Sequence, residues 1–243
     1  NAHHVTLPNG LCAMLCHTPE ASESFVSMAV RAGHFYDPND CQGLAHLLEH
    51  MLFMGSRHLP KPNAINGFIE QHGGTINAWT GTEYANYHFS CSGGALAQTL
   101  PAFADMLRQP LFEEDALTNE IKNIHAEFEF KKKDDLRRLY QIHKETCNPH
   151  HPFAKFSVGN SDTFSQHECA ELKHRLKSLH QTYYCALNMR LCIASPMPTP
   201  QLEALIHQCF GSLPSGELAP DNWPPLYTEN ELGIQINIHP LQS

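Results

Sequence analysis

The chain has 243 residues, 42% of them hydrophobic, and carries 16 Lys and Arg against 25 Asp and Glu, a formal net charge of −9. That apolar share over this length buries a substantial core, and the acidic balance excludes nucleic acid and anionic membrane as partners unless the average hides a basic patch. The one basic run, Lys131-Lys132-Lys133, is followed at once by Asp134-Asp135 and reads as a solvated helix face; nowhere do the roughly 18 apolar residues of a membrane span occur together.

The elements begin with a hairpin: His4-Val5-Thr6-Leu7, the turn Pro8-Asn9-Gly10, then the apolar run 11–16. A third strand is predicted over 24–31. Gly33 and Asp37-Pro38-Asn39-Asp40 interrupt it, and residues 43–54 then carry apolar side chains at helical spacing up to Gly55. Pro60 and Pro62 open a second helix through 71, closed by Gly73-Gly74, and two strands follow over 75–80 and 84–90. Helical periodicity then covers 95–108, 113–146, 168–184 and 199–210, with a strand at 188–194. Strands and helices in mixed order with hairpins predict an α+β fold, a largely antiparallel sheet covered by helices. Beyond Gly211 the composition changes. Pro214, Gly216, Pro220, Pro224 and Pro225 predict a linker over 213–232, and 233–239 reads as a strand with no partner in the four residues that follow. The expected organisation is one domain over 1–212, the linker, and the start of a further domain over 233–243.

Nine cysteines form an odd set without a CxxC pair, which favours free thiols in a reducing compartment; Cys12 and Cys16 sit in the apolar run of a buried strand rather than in a metal site. The sequence begins without Met or the apolar core of a signal peptide and reads as trimmed, so its compartment stays open.

The chemistry concentrates in His46-Leu47-Leu48-Glu49-His50. Residues four apart share a helix face, so both imidazoles reach one tetrahedral zinc. Glu49 lies on the same side, placed to take a proton from a water that the metal acidifies. A catalytic zinc keeps three protein ligands and one open position, so a third ligand must come from elsewhere. A chance match is the competing reading. Against it, these three polar residues interrupt an otherwise apolar helix, a costly arrangement unless they bind metal or each other. A purely structural zinc would use four protein ligands, often cysteines, and none of the nine lies in the motif.

Three longer blocks extend the pattern. Residues 43–56 around the motif, the stretch Gly73-Gly74-Thr75-Ile76-Asn77-Ala78-Trp79-Thr80, and Asn148 to Phe156 with Gly159-Asn160 together resemble the inverzincin family of pitrilysin and insulysin, over nearly the whole chain. The resemblance implies the metallopeptidase domain of that family, one Zn2+ per chain, and a third ligand at Glu127, in the matching segment Asn119 to Glu127. It implies that Glu120, two turns earlier, supports the site from behind. It also implies that residues 75–80 form an edge strand on which an extended peptide substrate docks, with Asn77 and Ala78 as the main-chain contacts. Trp79 would contribute to a side-chain pocket. Tyr140 matches an aromatic position facing the family's cleft, whereas Arg137 stands where the family has another aromatic. The expected function is a zinc metalloendopeptidase acting on small unfolded polypeptides. The family completes its active site with an Arg and a Tyr from a second half that this chain does not match, so the C-terminal half of the same protein is the expected partner and the isolated chain is expected to be weak or inactive. A non-catalytic scaffold of the same fold is the alternative, opposed by the intact His46, Glu49, His50 and Glu127. The cysteines favour cytoplasm, while the resemblance allows periplasm.

Overall fold

The computed structural model describes residues 2–239. Six strands form one sheet: β1 (Ala2–Thr6), β2 (Cys12–His17), β3 (Glu23–Val30), β4 (Ile76–Thr80), β5 (Ala85–Ser92) and β6 (Met189–Ser195), in the order β1-β2-β6-β3-β5-β4. Neighbours are antiparallel except the parallel pair β2 and β6. Period-two alternation decides which face is buried. Val26, Met28 and Val30 of β3, Tyr87 and Phe89 of β5, and Leu191 and Ile193 of β6 enter the core, while Met14 and Phe25 point to the open face. The α+β expectation therefore holds, with one face of the sheet covered.

Eight helices supply the cover: α1 (Leu44–Phe53), α2 (Ala64–Gln71), α3 (Leu96–Arg108), α4 (Glu114–Lys131), α5 (Asp135–Glu145), α6 (Ser161–Phe164), α7 (Cys169–Tyr183) and α8 (Thr199–Phe210). Helix α1 touches β4, α2 and α3 lie on β5, and α8 lies on β2, while α4 and α7 pack against α1 from outside. Helix α1, which carries His46, Glu49 and His50, is thus sandwiched between other elements, next to the strand that ends the sheet.

The structure corrects the sequence reading of one helix and adds detail to the C-terminal stretch. The helix expected over 113–146 is two helices, broken after Lys131, because Asp134 caps the second with Oδ1 accepting from Arg137 N at 2.9 Å. A short polar side chain competes with the helical ladder, and a new helix starts there. The Pro-rich stretch is no loose tether. Ala219 is buried, Trp223 packs edge-on against Phe35 and Tyr36, Arg31 pairs with Asp221 at 3.5 Å, and Asn148 bonds the carbonyls of Pro225 and Leu226. Residues 233–239, expected as a strand without a partner in the residues that follow, form no ladder. Ile234, Ile236 and Ile238 are exposed and alternate as strand residues do, but no strand lies beside them among the described residues. Residues 240–243 of the expected following domain lie outside the described residues.

Candidate metal centre

Helix α1 buries Leu44, Ala45, Leu47, Leu48, Met51 and Leu52, leaving His46, Glu49, His50 and Phe53 as its partly exposed stripe. Its start is set by Gly43, whose φ of 91° is the left-handed region, and by Asp37, whose carboxylate accepts from Gly43 N at 2.8 Å and Ala45 N at 2.7 Å. Burial pushes the Asp37 carboxyl up to about 7, opposed by those two N–H groups and by the nearby Lys155 and Lys144 ammonium groups. The sequence alone shows this residue only as part of the stretch that interrupts the third strand. Its distance of six and eight residues from its partners hides the cap.

His46 donates Nδ1–H to the Val158 carbonyl at 2.7 Å, and His50 donates Nδ1–H to Glu120 Oε2 at 2.9 Å. Both acceptors lack hydrogens, so Nδ1 carries a proton in each ring and Nε2 is the nitrogen turned towards the cleft. Each Nε2 faces Glu127 Oε2, at 3.8 Å for His46 and 3.6 Å for His50. The other Glu127 oxygen is taken by Lys131, so the first residue of the supposed solvated run is an ion-pair partner at the cleft. Glu120 is buried, its second oxygen accepting from Asn123 Nδ2 at 2.8 Å. Electrostatics follow the geometry. Burial and the neighbouring His50 lower the His46 pKa. Burial would also lower His50, but Glu120 and Glu127 outweigh it and raise His50 to about 9. The facing His50, with Lys131 behind, holds Glu127 down at about 2 against the pull of burial. A proton shared by this cluster stands where a cation would be attracted.

The donor set fits zinc. His46, His50 and Glu127 form the one group of three such residues among the described residues, with ligand atoms within 4.8 Å of one another. Bonds of about 2.0–2.1 Å to a tetrahedral ion put donors roughly 3.3 Å apart, so small movements close the observed gaps, and two imidazoles with one carboxylate is a recognised catalytic set.

Around these donors lies a cleft of about 420 Å³, walled by Glu49, Ala78, Trp79, Thr80, Arg137, Tyr140 and Val158. Sequence reading missed Thr80, whose hydroxyl donates to Glu49 Oε2 and ties the acid to β4. A larger hollow of about 570 Å³ between Arg108, Phe112, His180 and Leu213 lies away from this chemistry. Strand β4 pairs with β5 on one side only and is the last of the sheet. Thr75 O and Gly81 N bond towards β5, so by alternation the main chain of Asn77 also faces β5 and that of Ala78 faces outward. Asn77 Oδ1 accepts from Ala78 N at 2.8 Å, covering that outward donor. Trp79 is 52% exposed, and Tyr140 is 45% exposed, set edge-on to Phe153. Of the expected substrate residues, Ala78, Trp79 and Tyr140 border the cleft; Asn77 does not serve as a main-chain contact, because its main chain is turned to β5.

Behind the wall sits a second polar pair that sequence reading missed. His34 donates Nδ1–H to the Gly81 carbonyl at 2.9 Å, while its Nε2 accepts from Lys144 Nζ at 3.0 Å. Lys144 is fully buried, its ammonium 5.4 Å from the Tyr140 ring centre and 5.6 Å from that of Phe153. Burial, then the Lys144 charge, depresses His34 to about 3.

Comparison with known proteins gives a consistent picture. Residues 13–154 match the family described as Insulinase (Peptidase family M16), and residues 173–243 match the Peptidase M16 inactive domain. Protease 3 of Escherichia coli is 33% identical over 237 residues, 97% of this chain and 25% of that protein. Insulin-degrading enzyme of Bos taurus is 34% identical over 210 residues, 85% of this chain and 21% of that protein. A-factor-processing enzyme of Saccharomyces cerevisiae is 31% identical over 242 residues, 98% of this chain and 24% of that protein. The crystal structure of pitrilysin superposes with a TM-score of 0.88 at 30% identity, over 95% of this chain and 25% of that one. The chain thus spans about a quarter of the length of these relatives.

Proposed function

The chain belongs to the insulinase family of peptidases, M16, and from that premise we propose that it is the zinc-binding N-terminal part of a longer metalloendopeptidase that cleaves small unfolded polypeptides. The observation that carries this reading is the convergence of His46, His50 and Glu127 on one point, with Glu49 beside them on the same cleft. His46 Nε2, His50 Nε2 and a Glu127 oxygen would hold the metal. Zinc, when bound, supplies a Lewis acid that acidifies water and polarises a carbonyl.

The chain's own residues do the rest. Glu49 accepts the proton of the attacking water and delivers it to the leaving amine, and Thr80 orients its carboxylate for that transfer. An extended peptide pairs with the outward main chain of β4 at Ala78, which brings its backbone alongside the metal helix. Trp79 and Tyr140 offer apolar surface to its side chains. The relatives are about four times as long, which supports assigning the remaining substrate contacts to another part of the protein and poor hydrolysis to this chain alone.

In the full-length protein, Glu49→Gln is expected to lower kcat by about 10²–10⁴ on an unstructured peptide while zinc content stays near one per chain. Turnover at the wild-type rate would remove Glu49 from the mechanism. Hydrolysis that survives a chelator would remove the metal.

A further inference from the structure

His46 depends on a loop that belongs to no regular element. Residues 155–160 run from a one-turn 3-10 helix (Pro152–Ala154) to α6, and midway the Val158 carbonyl meets His46 Nδ1. The carbonyl of an unrestrained loop would leave that imidazole free to exchange tautomers, and the metal would then find Nε2 protonated part of the time.

The loop is fastened at both ends and in the middle. Lys155 Nζ donates to the carbonyls of Phe35 at 2.7 Å and Asp37 at 2.6 Å. Phe156 N donates to Gln42 Oε1 at 2.6 Å. Gly159, at φ 74°, approaches Gly43 so closely that a Cβ on Gly43 would lie 2.4 Å from Gly159 Cα. Asn160 and Thr163 then close a reciprocal capping box on α6. Asp37 joins these contacts to the helix, because its carbonyl takes Lys155 while its carboxylate caps α1. The ring of contacts runs Lys155, Asp37, α1, His46, Val158 and back along the loop to Lys155.

We propose that Lys155 is a positioning residue of the metal centre: by clamping the 155–160 loop to Phe35 and Asp37, it holds the Val158 carbonyl against His46 and so fixes Nε2 as the nitrogen offered to zinc. The inference rests on the zinc reading above only for its consequence on affinity. Its consequence for the imidazole stands without metal. A half-buried ammonium bonded to two carbonyls has lost much of its hydration, and burial lowers its pKa, so the contact is specific to a compact cation with several donors.

The test uses the full-length protein labelled with [15N]histidine, with Lys155→Met beside the wild type. In chelator-treated protein, the His46 signal, assigned by its loss in His46→Gln, is expected as the Nδ1–H tautomer in the wild type and as an averaged mixture in Lys155→Met. Chelator competition is expected to show zinc bound about 10-fold more weakly by Lys155→Met, and Lys155→Arg to recover part of the loss. An unchanged tautomer in a folded Lys155→Met overturns the proposal. Should Lys155→Met not fold, the milder Lys155→Arg is read in its place; a partly mixed tautomer there supports the clamp and an unmixed one overturns it. If the wild type takes up no zinc, the peptidase reading fails, while the tautomer still decides the role of the clamp.

Discussion

Helix α1 and the C-terminal half of α4 aim donors at the same point, and the molecule holds them by different means. Six of the ten α1 side chains are buried, its first N–H groups are capped by Asp37, and each imidazole has its own acceptor. Of the 18 residues of α4, the buried ones are Leu117, Glu120 and Ile124, all before Glu127. Beyond Ile124 no side chain of the helix is buried, and its contacts include the Phe128 ring edge-on to Phe156 and the ion pairs of Lys131 with Glu127 and Lys132 with Glu129. Close packing fixes geometry to fractions of an ångström, whereas a partly exposed ion pair contributes about 0–1 kcal/mol and yields to a competitor. Two of the proposed ligands are therefore held by packing, and the third by Lys131 on the carboxylate oxygen that does not face the imidazoles.

That contrast can be broken by substitution. Leu48→Ala, in the core side of α1, is expected to cost about 2–5 kcal/mol by urea denaturation and to weaken zinc binding as the helix shifts. A smaller loss would mean that α1 is not the rigid partner. Next comes the seam behind the cleft, where His34 is buried neutral. Its folded pKa of about 3 lies below the ordinary imidazole value of about 6.5, so this contribution to stability is complete above pH 6.5 and is lost as pH falls towards 3. The loss is on the order of a few kcal/mol, and a His34→Gln variant should show a flatter stability profile across that window. A profile parallel to the wild type would contradict the burial of the neutral ring.

Glu120→Gln keeps the shape but weakens the acceptor on His50, and zinc affinity is expected to fall about 10–100-fold with little change in thermal stability. The smallest effect belongs to the charged end of α4. Phe130 is 83% exposed, so Phe130→Ala should stay within about 0.5 kcal/mol of wild type. A larger loss in the full-length protein would reveal that another part of the polypeptide covers this end.

Much of the site was legible because its first three residues repeat at helical spacing on one apolar segment, a pattern that local geometry converts directly into a shared face. Glu127 and Glu120 needed family resemblance, since nothing in the spacing of α4 distinguishes them from Glu129. Thr80, Asp37 and Val158 were not legible as site residues. Val158 contributes a carbonyl, which every residue has, and Thr80 meets Glu49 only after the sheet has brought β4 to α1. The break after Lys131 was written in Asp134 as a capping residue, but the helical periodicity on both sides masked it. The Pro-rich stretch misled for a related reason. Composition reports that a segment has no ladder of its own, and says nothing of whether Trp223 or Ala219 finds a hydrophobic seat elsewhere.

An unpaired strand at the end of a sheet is ordinarily a hazard, because its free N–H and C=O groups invite a second copy to add on and propagate. On β4 the Asn77 amide sits on the Ala78 N–H like a stopper in a socket. Any incoming chain must first lift it out, so pairing replaces one bond with another and little is gained by the first contact. A longer segment that also reaches the outward main chain of Ile76 and Thr80 in register still profits, while a brief encounter at Ala78 alone does not. The same small side chain thus makes any first contact at Ala78, by a peptide or by a second copy, an exchange of bonds rather than a gain.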